Sequence, residues 1–216
     1  MNVIVTAGPT YEPLDQARRL TNFSTGRLGS ELARYFTERG DQVTLLIGEQ
    51  ATWHGERRAA RVESFSTTAS LAEKLRAAGG TDVQAVFHAA AVSDFTFGKV
   101  WERSEKGDLK EMKAAKIPTR AGTLMVELVP TAKLIHELRA WFPKACLVGW
   151  KYEMDGERQD VINRARRQIE ESQTDYCVAN GRAYGAGFGV VDKAGAIEHC
   201  ASTRELFPAL AKRVPQ

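Results

Sequence analysis

The fold is decided by Val3–Thr10 (VIVTAGPT) and Asn22–Gly29 (NFSTGRLG), two stretches near the N-terminus. The β-branched run Val3–Val5 predicts a buried strand, because branched side chains pack well on a pleated surface. The strand is expected to end at Gly8 and Pro9, since glycine permits a sharp turn and proline has no N–H for the ladder.

A helix is predicted to follow, because Leu28, Leu32 and Phe36 recur at helical spacing. Ser24 or Thr25 is the expected N-cap. A strand, a glycine-containing loop and a helix N-terminus bring unpaired N–H groups and the positive end of the helix dipole to one place. That place suits an anion.

The loop between Gly8 and Gly26 has neither the Gly-Lys-Ser/Thr ending of a Walker A motif nor the compact Gly-x-Gly-x-x-Gly of dinucleotide enzymes. Its composition alone favours a solvated loop. However, loops longer than ~12–15 residues are uncommon in compact domains and are often functional, and this one leads directly to a helix N-terminus.

Alternating strands and helices continue along the chain and predict an α/β fold. It is a Rossmann-like, three-layer parallel sheet with helices on both faces, followed by a C-terminal β-hairpin. The predicted strands are 42–47, 84–89, 145–150 and 176–180, the helices are 70–78, 132–141, 157–171 and 203–213, and the hairpin is 188–191 with 196–200.

We expect a single domain over residues 1–216 with a mobile flap at about 96–120. The flap is rich in lysine and has no hydrophobic period, which is typical of a solvated surface loop. Lys116 is the exception, because it stands where the flap returns to regular structure. Residues 123–129 alternate between apolar and polar and predict a half-exposed strand.

Composition excludes several classes of protein. With 43% hydrophobic residues the chain can bury a full core, and no apolar run approaches the ~18 residues that span a bilayer. A net charge of +3 does not indicate a nucleic-acid partner. Cys146, Cys177 and Cys200 lack metal-ligand spacing, so we expect buried, reduced thiols in a cytoplasmic protein.

A second informative stretch, His88–Phe95 (HAAAVSDF), follows a predicted strand. Its three alanines remove side-chain bulk, so that a ligand could lie against backbone amides. Asp94 is either a ligand for a metal ion or hydroxyl, or a helix cap. His88 is better explained as a hydrogen-bonded structural imidazole than as a base.

Two classes of function compete at this point. A nicotinamide-dependent, short-chain-type dehydrogenase would use Glu49, about twenty residues beyond Gly29, as its ribose ligand. None of the tyrosines, however, has the lysine four positions later that such enzymes carry. A nucleotide-binding module without catalysis is a further alternative. The other class is a nucleotide-consuming ligase.

Five separated motifs resemble phosphopantothenoylcysteine synthetase, and they stand in the right order from Val3 to the last helix. The chain looks like the free-standing form of that family, because no decarboxylase half precedes Met1. The motifs are Gly8-Pro9-Thr10 with Glu12, Asp15 and Arg18; Asn22-x-Ser24-Thr25-Gly26-x-x-Gly29; Ala90–Phe95; Lys116-Ile117; and Val178-Ala179-Asn180.

The resemblance implies a two-step reaction in coenzyme A biosynthesis. The carboxylate of 4′-phosphopantothenate attacks the α-phosphorus of CTP or ATP, which forms an acyl-nucleotide and releases pyrophosphate. The amine of cysteine then displaces the nucleoside monophosphate. Such chemistry needs charge neutralisation more than a nucleophilic side chain. The resemblance implies Mg²⁺, no flavin and a homodimer, in which Arg18 would serve the partner's site.

Residue roles carried over by similarity start with Asn22, which would hold the acyl intermediate, and Arg18, which would meet the substrate phosphate. Lys116 would neutralise developing charge, Ala90 and Asp94 would contact substrate, and Asp94 would also meet Mg²⁺. The implied nucleotide site comprises Gly8, Ser24, Gly26, His88, Ala89, Ala90, Asp94, Lys116, Ala132, Trp150 and Lys151.

Three departures from the common bacterial form leave CTP and ATP open. Trp150–Met154 (WKYEM) replaces Phe-Ala-Ala-Glu-Thr, and Thr131–Lys133 (TAK) replaces Thr-Pro-Asp. Gln168 and Ser172 stand where two helix lysines are expected. Val161–Arg166 (VINRAR) matches the eukaryotic, ATP-using form. We hypothesise that Lys151 replaces the missing helix lysines as a phosphate ligand, with Trp150 against the base; the alternative is that Lys151 is a surface residue.

Overall fold

The structure is a computed structural model that describes residues 1–80, 82–112, 116–117 and 122–215. Its elements in chain order are β1 (Asn2–Ala7), β2 (Tyr11–Pro13), β3 (Arg19–Thr21), α1 (Arg27–Glu38), β4 (Gln42–Gly48), β5 (Arg61–Phe65), α2 (Thr68–Ala77), β6 (Ala85–His88), β7 (Phe95–Arg103), β8 (Leu109–Glu111), β9 (Thr123–Pro130), α3 (Leu134–Trp141), β10 (Cys146–Tyr152), α4 (Arg158–Ser172), β11 (Tyr176–Asn180), β12 (Phe188–Asp192), β13 (Ile197–Cys200) and α5 (Thr203–Ala211).

The central sheet has eight strands in the order β5-β4-β1-β6-β10-β11-β12-β13. The six strands from β5 to β11 pair in parallel, whereas β12 pairs antiparallel with both β11 and β13. The chain leaves β1 toward β4 and returns to β6 on the other side of β1. This reversal of strand order is where open α/β sheets bind ligands, outside the carboxyl ends of the strands.

Helices cover both faces of the sheet, so the predicted three-layer, Rossmann-like fold is confirmed. On one face, Val5 of β1 packs in a cluster with Phe36 of α1 and Leu206 of α5. On the other face, Ile4 packs with residues of α2 and α3, while α4 covers β10 and β11. Because side chains alternate along a strand, this pleat decides on which face each site residue lies.

The predicted strands and helices of the sheet are confirmed, with bounds that differ by a few residues. The hairpin of β12 and β13 is also confirmed. The predicted N-cap is wrong: Gly26, with φ 77°, caps α1 without a side-chain hydrogen bond. A Cβ at Gly26 would lie 2.9 Å from Ala51 Cβ and 2.9 Å from Ile47 Cδ1. Both the positive φ and this close packing therefore favour glycine at position 26.

The predicted irregular loop and flap are partly wrong, because both contain strands. A short hairpin of β2 and β3 lies between β1 and α1. Strands β7, β8 and β9 form a separate antiparallel sheet, which we call the arm. Strand β9 confirms the predicted half-exposed strand, whereas Lys113, Pro118 and Arg120 of the predicted flap lie outside the described residues.

All three cysteines are buried free thiols, as predicted. Burial is the main cause that raises the pKa of Cys146 and of Cys177 to about 12, so neither thiol is reactive at neutral pH. Among the described residues, no helix has both the length and the apolar character needed to cross a bilayer.

Candidate active site

Two adjoining cavities lie at the carboxyl edge of the parallel strands, one toward each face of the sheet. The α1 cavity has a volume of about 670 Å³ and reaches from the N-terminus of α1 to the ends of β10 and β11. The α4 cavity, of about 510 Å³, lies between the end of β6, α3 and α4. Five residues line both cavities and form a shared wall: Ala90, Val92, Asp94, Trp150 and Lys151.

The α1 cavity contains the anion-binding geometry expected from the sequence. The first bond to the cap runs from Ser30 N–H to Gly26 O, so the preceding N–H groups of the first turn stand outside the helical ladder. These groups and the positive end of the helix dipole favour an anion there. Gly8, Ser24 and Gly26 line this cavity together with Asn22.

The side chain of Asn22, which lines the α1 cavity, is fixed by two hydrogen bonds. Its Nδ2 donates to the carbonyl oxygens of Ala91 at 3.2 Å and Val92 at 3.3 Å. This orientation leaves the side-chain oxygen of Asn22 free to accept a hydrogen bond. The next residue, Phe23, lines the cavity and is fully exposed.

The alanine amides do not offer the ligand contacts that the sequence suggested. Ala89 N–H donates to Thr6 O at 3.2 Å, and Ala90 N–H donates to Thr6 Oγ1 at 3.1 Å. Ala91 N–H donates to Gly8 O at 2.9 Å. These alanines therefore leave open space beside a ligand and offer it carbonyl oxygens rather than N–H groups.

Two polar atoms beside the α1 cavity are buried and lack a partner among the described residues: Trp150 Nε1 and Asn180 Oδ1. Trp150 packs against the α1 face of the sheet, and Asn180, two residues after Val178, lies on that same face. A buried donor and a buried acceptor without partners are costly unless a ligand or water satisfies them.

His88 lies on the opposite face and lines the α4 cavity. Its Nδ1 is 3.0 Å from Thr6 Oγ1, which already accepts the Ala90 N–H. We therefore assign the Thr6 hydroxyl as the donor to Nδ1, which leaves the imidazole proton on Nε2. Burial lowers the pKa of His88 to about 4, so the ring is neutral at pH 7.

The α4 cavity is lined by more cations than the sequence indicated. Lys133, Lys151, Arg164 and Arg167 line it, and three of these make ion pairs with carboxylates of the same cavity. Lys133 is paired with Asp94, while Glu153 is paired with both Lys151 and Arg164. Gln168 is occupied, since its Nε2 donates to Cys177 Sγ at 3.2 Å.

Other predicted residues lie outside both cavities. The side chain of Arg18 donates to Asp15 and, at 2.8 Å, to Ile117 O. Lys116, which is exposed, directly precedes Ile117 in the chain. Ala132 also lines neither cavity, although Lys133 and Leu134 line the α4 cavity.

The His, Cys, Asp and Glu side chains of the described residues do not form a metal site. Among the described residues, no group of three or more His, Cys, Asp or Glu side chains could hold a metal ion. Asp94, the predicted Mg²⁺ ligand, is instead in contact with the ammonium group of Lys133. The residues present therefore do not fit a resident Mg²⁺.

Sequence reasoning missed Lys133, Glu153 and Arg164 as residues of the site. Their signal was present, because Lys133 and Glu153 stand in the two segments that depart from the bacterial pattern and Arg164 lies one turn before Gln168. Glu49, the acid expected for a dehydrogenase, lines neither cavity and accepts a hydrogen bond from Tyr11 OH at 3.3 Å.

Comparison with known proteins gives the family. Residues 1–214 match the DNA/pantothenate metabolism flavoprotein C-terminal domain. The chain belongs to this family. A curated relative, the coenzyme A biosynthesis bifunctional protein CoaBC of Thermococcus kodakarensis, is 34% identical over 178 residues, which cover 82% of this chain. The chain spans only 40% of that relative's length.

Solved structures with the same fold include a DNA/pantothenate metabolism flavoprotein and a Cab2 mutant. The flavoprotein from Streptococcus pneumoniae superposes with a TM-score of 0.85 at 24% identity, covering 99% of this chain and 97% of that one. A Cab2 mutant solved in complex with phosphopantothenate-cysteine has a TM-score of 0.73 at 18% identity, covering 98% of this chain and 85% of that one.

Proposed function

We propose that this chain is a phosphopantothenate–cysteine ligase, which forms an amide bond by way of an acyl-nucleotide. The observation that carries the proposal is the shared wall between the α1 cavity and the α4 cavity. A carboxylate and the nucleoside triphosphate whose nucleotidyl group it accepts can approach each other across such a wall, one from each face of the sheet. Family membership and the product complex of the Cab2 mutant support the same reaction.

In this proposal the α1 cavity holds 4′-phosphopantothenate and the α4 cavity holds CTP or ATP. The carboxylate oxygen of the acid bonds to the α-phosphorus while the α–β phosphoanhydride bond breaks and pyrophosphate leaves. The cysteine amine then attacks the acyl carbon, nucleoside monophosphate leaves, and the amine loses a proton. The free Asn22 oxygen is close to the wall where this intermediate would form.

Charge neutralisation is supplied by the side chains around the wall. Lys151 belongs to both cavities and is the phosphate ligand that the sequence comparison suggested. Mg²⁺ would arrive with the triphosphate as part of the substrate, since the carboxylates of the described residues do not form a metal site. Lys116 and Arg18, which line neither cavity, would act after movement of their segment or in a partner's site.

Assembly as a homodimer and a cytoplasmic place of action belong to the same proposal. Exposed apolar side chains on the arm, which include Leu109, Met125 and Leu128, support a subunit interface. Three free cysteines support a reducing compartment.

The test is an assay of the purified chain with 4′-phosphopantothenate, cysteine, Mg²⁺ and either CTP or ATP. We expect pyrophosphate release that depends on the pantothenate compound, and a product whose mass corresponds to the amide. Oxidation or reduction of a nicotinamide with a carbonyl substrate would instead identify a dehydrogenase. Nucleotide binding without any turnover would identify a binding module.

A further inference from the structure

Two carboxylates of the α4 cavity hold cations that come from different elements of the fold. Asp94, in the segment after β6, is paired with Lys133, the N-cap residue of α3. Glu153, just beyond β10, is paired with Arg164 of α4, and its Oε1 is 3.6 Å from Lys151 Nζ. Each carboxylate therefore fixes the place of at least one cation on the cavity wall.

These ion pairs contribute little to folding, because they are open to solvent. The exposed fractions are 56% for the Lys133 side chain and 66% for Asp94, and in the second pair 47% for Arg164 and 20% for Glu153. Exposed pairs gain little in water and are screened by salt. Because an ammonium has three N–H donors and a guanidinium five, these cations keep donors for a second anion, and a triphosphate presents several oxygens to them.

The two α4 positions at which helix lysines were expected do not supply the charge that a triphosphate needs, whereas Arg164 and Arg167 of the same helix line the cavity. Gln168 and Ser172 are neutral and already engaged, Gln168 with Cys177 and Ser172 with His136. Arg164 lies four residues before Gln168, so both stand on the same face of the helix. A cation is thus present on the cavity side of α4, one turn earlier than expected.

We propose that Lys133 and Arg164 bind the phosphates of the nucleoside triphosphate, and that Asp94 and Glu153 are positioning residues. In this assignment Asp94 holds Lys133 rather than a metal ion. The inference rests on the proposed function, since it assumes that the α4 cavity takes the nucleotide. On binding, the Lys133 ammonium and the Arg164 guanidinium each donate a further hydrogen bond to a phosphate oxygen while the carboxylate keeps the cation in place.

Binding measured by calorimetry tests the inference without turnover. The ligands are CTP, ATP and inorganic tripolyphosphate, each with Mg²⁺ and with EDTA. Lys133→Ala and Arg164→Ala are each expected to weaken binding about tenfold, the loss of one charge-assisted contact. The matched control is Arg182→Ala, which removes an exposed arginine paired with Asp155 outside both cavities, and it should bind like wild type.

The role of Asp94 is tested by a double-mutant cycle. If Asp94 positions Lys133, then Asp94→Asn should weaken binding in wild type but have no further effect in the Lys133→Ala background, with or without Mg²⁺. A further loss that occurs only with Mg²⁺ would make Asp94 a metal contact and overturn this assignment. Thermal unfolding of each variant checks that the fold is retained.

The outcomes separate this inference from the proposed function. Wild-type protein that binds none of the three ligands would overturn both. If Lys133→Ala and Arg164→Ala bind these ligands as tightly as Arg182→Ala does, this inference is overturned. The ligase proposal would then still be tested by its own assay.

Discussion

Burial leaves His88 with a pKa of about 4, well below the 6.5 of a free imidazole. Between these two pH values the unfolded chain binds a proton that the folded chain does not. Stability therefore falls as the pH falls from 6.5 toward 4, because protons then favour the unfolded state. Above pH 6.5 the residue contributes no pH dependence.

A substitution of His88 isolates this effect. His88→Asn keeps an acceptor for the Thr6 hydroxyl and removes the titrating ring. Between pH 7 and pH 5 we expect the wild-type free energy of unfolding to lose on the order of 2 kcal/mol more than that of the variant. Urea unfolding at the two pH values measures the difference. Equal losses in both proteins would contradict it.

At the scale of elements, one buried carboxylate in the turn of the β2–β3 hairpin holds Ile117, which lies in the connection between strands β8 and β9 of the arm. Asp15 accepts the side chain of Arg18 and the N–H groups of Ala17, Arg18 and Ile117. The Arg18 side chain, followed by the N–H of Ala17, is the main cause that holds the pKa of Asp15 well below its ordinary 3.8. This stabilisation is present above pH 3.8 and is lost as the pH falls below it.

The attachment can be weakened without changing the shape of the side chain. Asp15→Asn keeps the size but removes the charge, so the Ile117 N–H should exchange with solvent faster at pH 7. Hydrogen exchange at pH 7 measures this rate. Glu105→Gln, at an exposed turn of the arm, is the control and should exchange like wild type. An unchanged rate in Asp15→Asn would show that the attachment does not depend on this charge.

Some elements could be predicted from the sequence because their apolar pattern is local. The strand Tyr176–Asn180 and the helix with Leu206 and Leu210 inward have such patterns. Strand β5 (Arg61–Phe65) does not, because it pairs only with β4 at the edge of the sheet and leaves Val62 exposed. Strand β7 is interrupted by a register shift between Phe97 and Val100, which hides its alternation.

The site could be predicted as a set of residues but not as two cavities. The sequence predicts Gly8, Ser24 and Lys151 as parts of one nucleotide site, yet the fold places the first two beside the α1 cavity and Lys151 on the shared wall. Which face a residue takes depends on strand register, and no single segment contains that information. Ion pairs such as Lys133–Asp94 join residues 39 positions apart and depend on the folded sheet.

At the scale of the whole molecule, the arm exposes several large apolar side chains to solvent. Leu109, Met125, Leu128 and Val129 are between 38% and 57% exposed. Several exposed apolar side chains on one small sheet are typical of an interaction surface. The proposed homodimer would bury them, and each subunit would then stabilise the arm of the other.

This proposal predicts that charge on the arm breaks the dimer while charge elsewhere does not. Wild-type protein should sediment as a dimer at micromolar concentration, and Leu128→Glu should weaken the association about tenfold or more, because a buried charge without a partner is costly. Val62→Glu is the matched control, since Val62 is 44% exposed on strand β5, outside the arm. The arm is not the dimer interface if the wild-type protein is a monomer, or if Val62→Glu dissociates the dimer and Leu128→Glu does not.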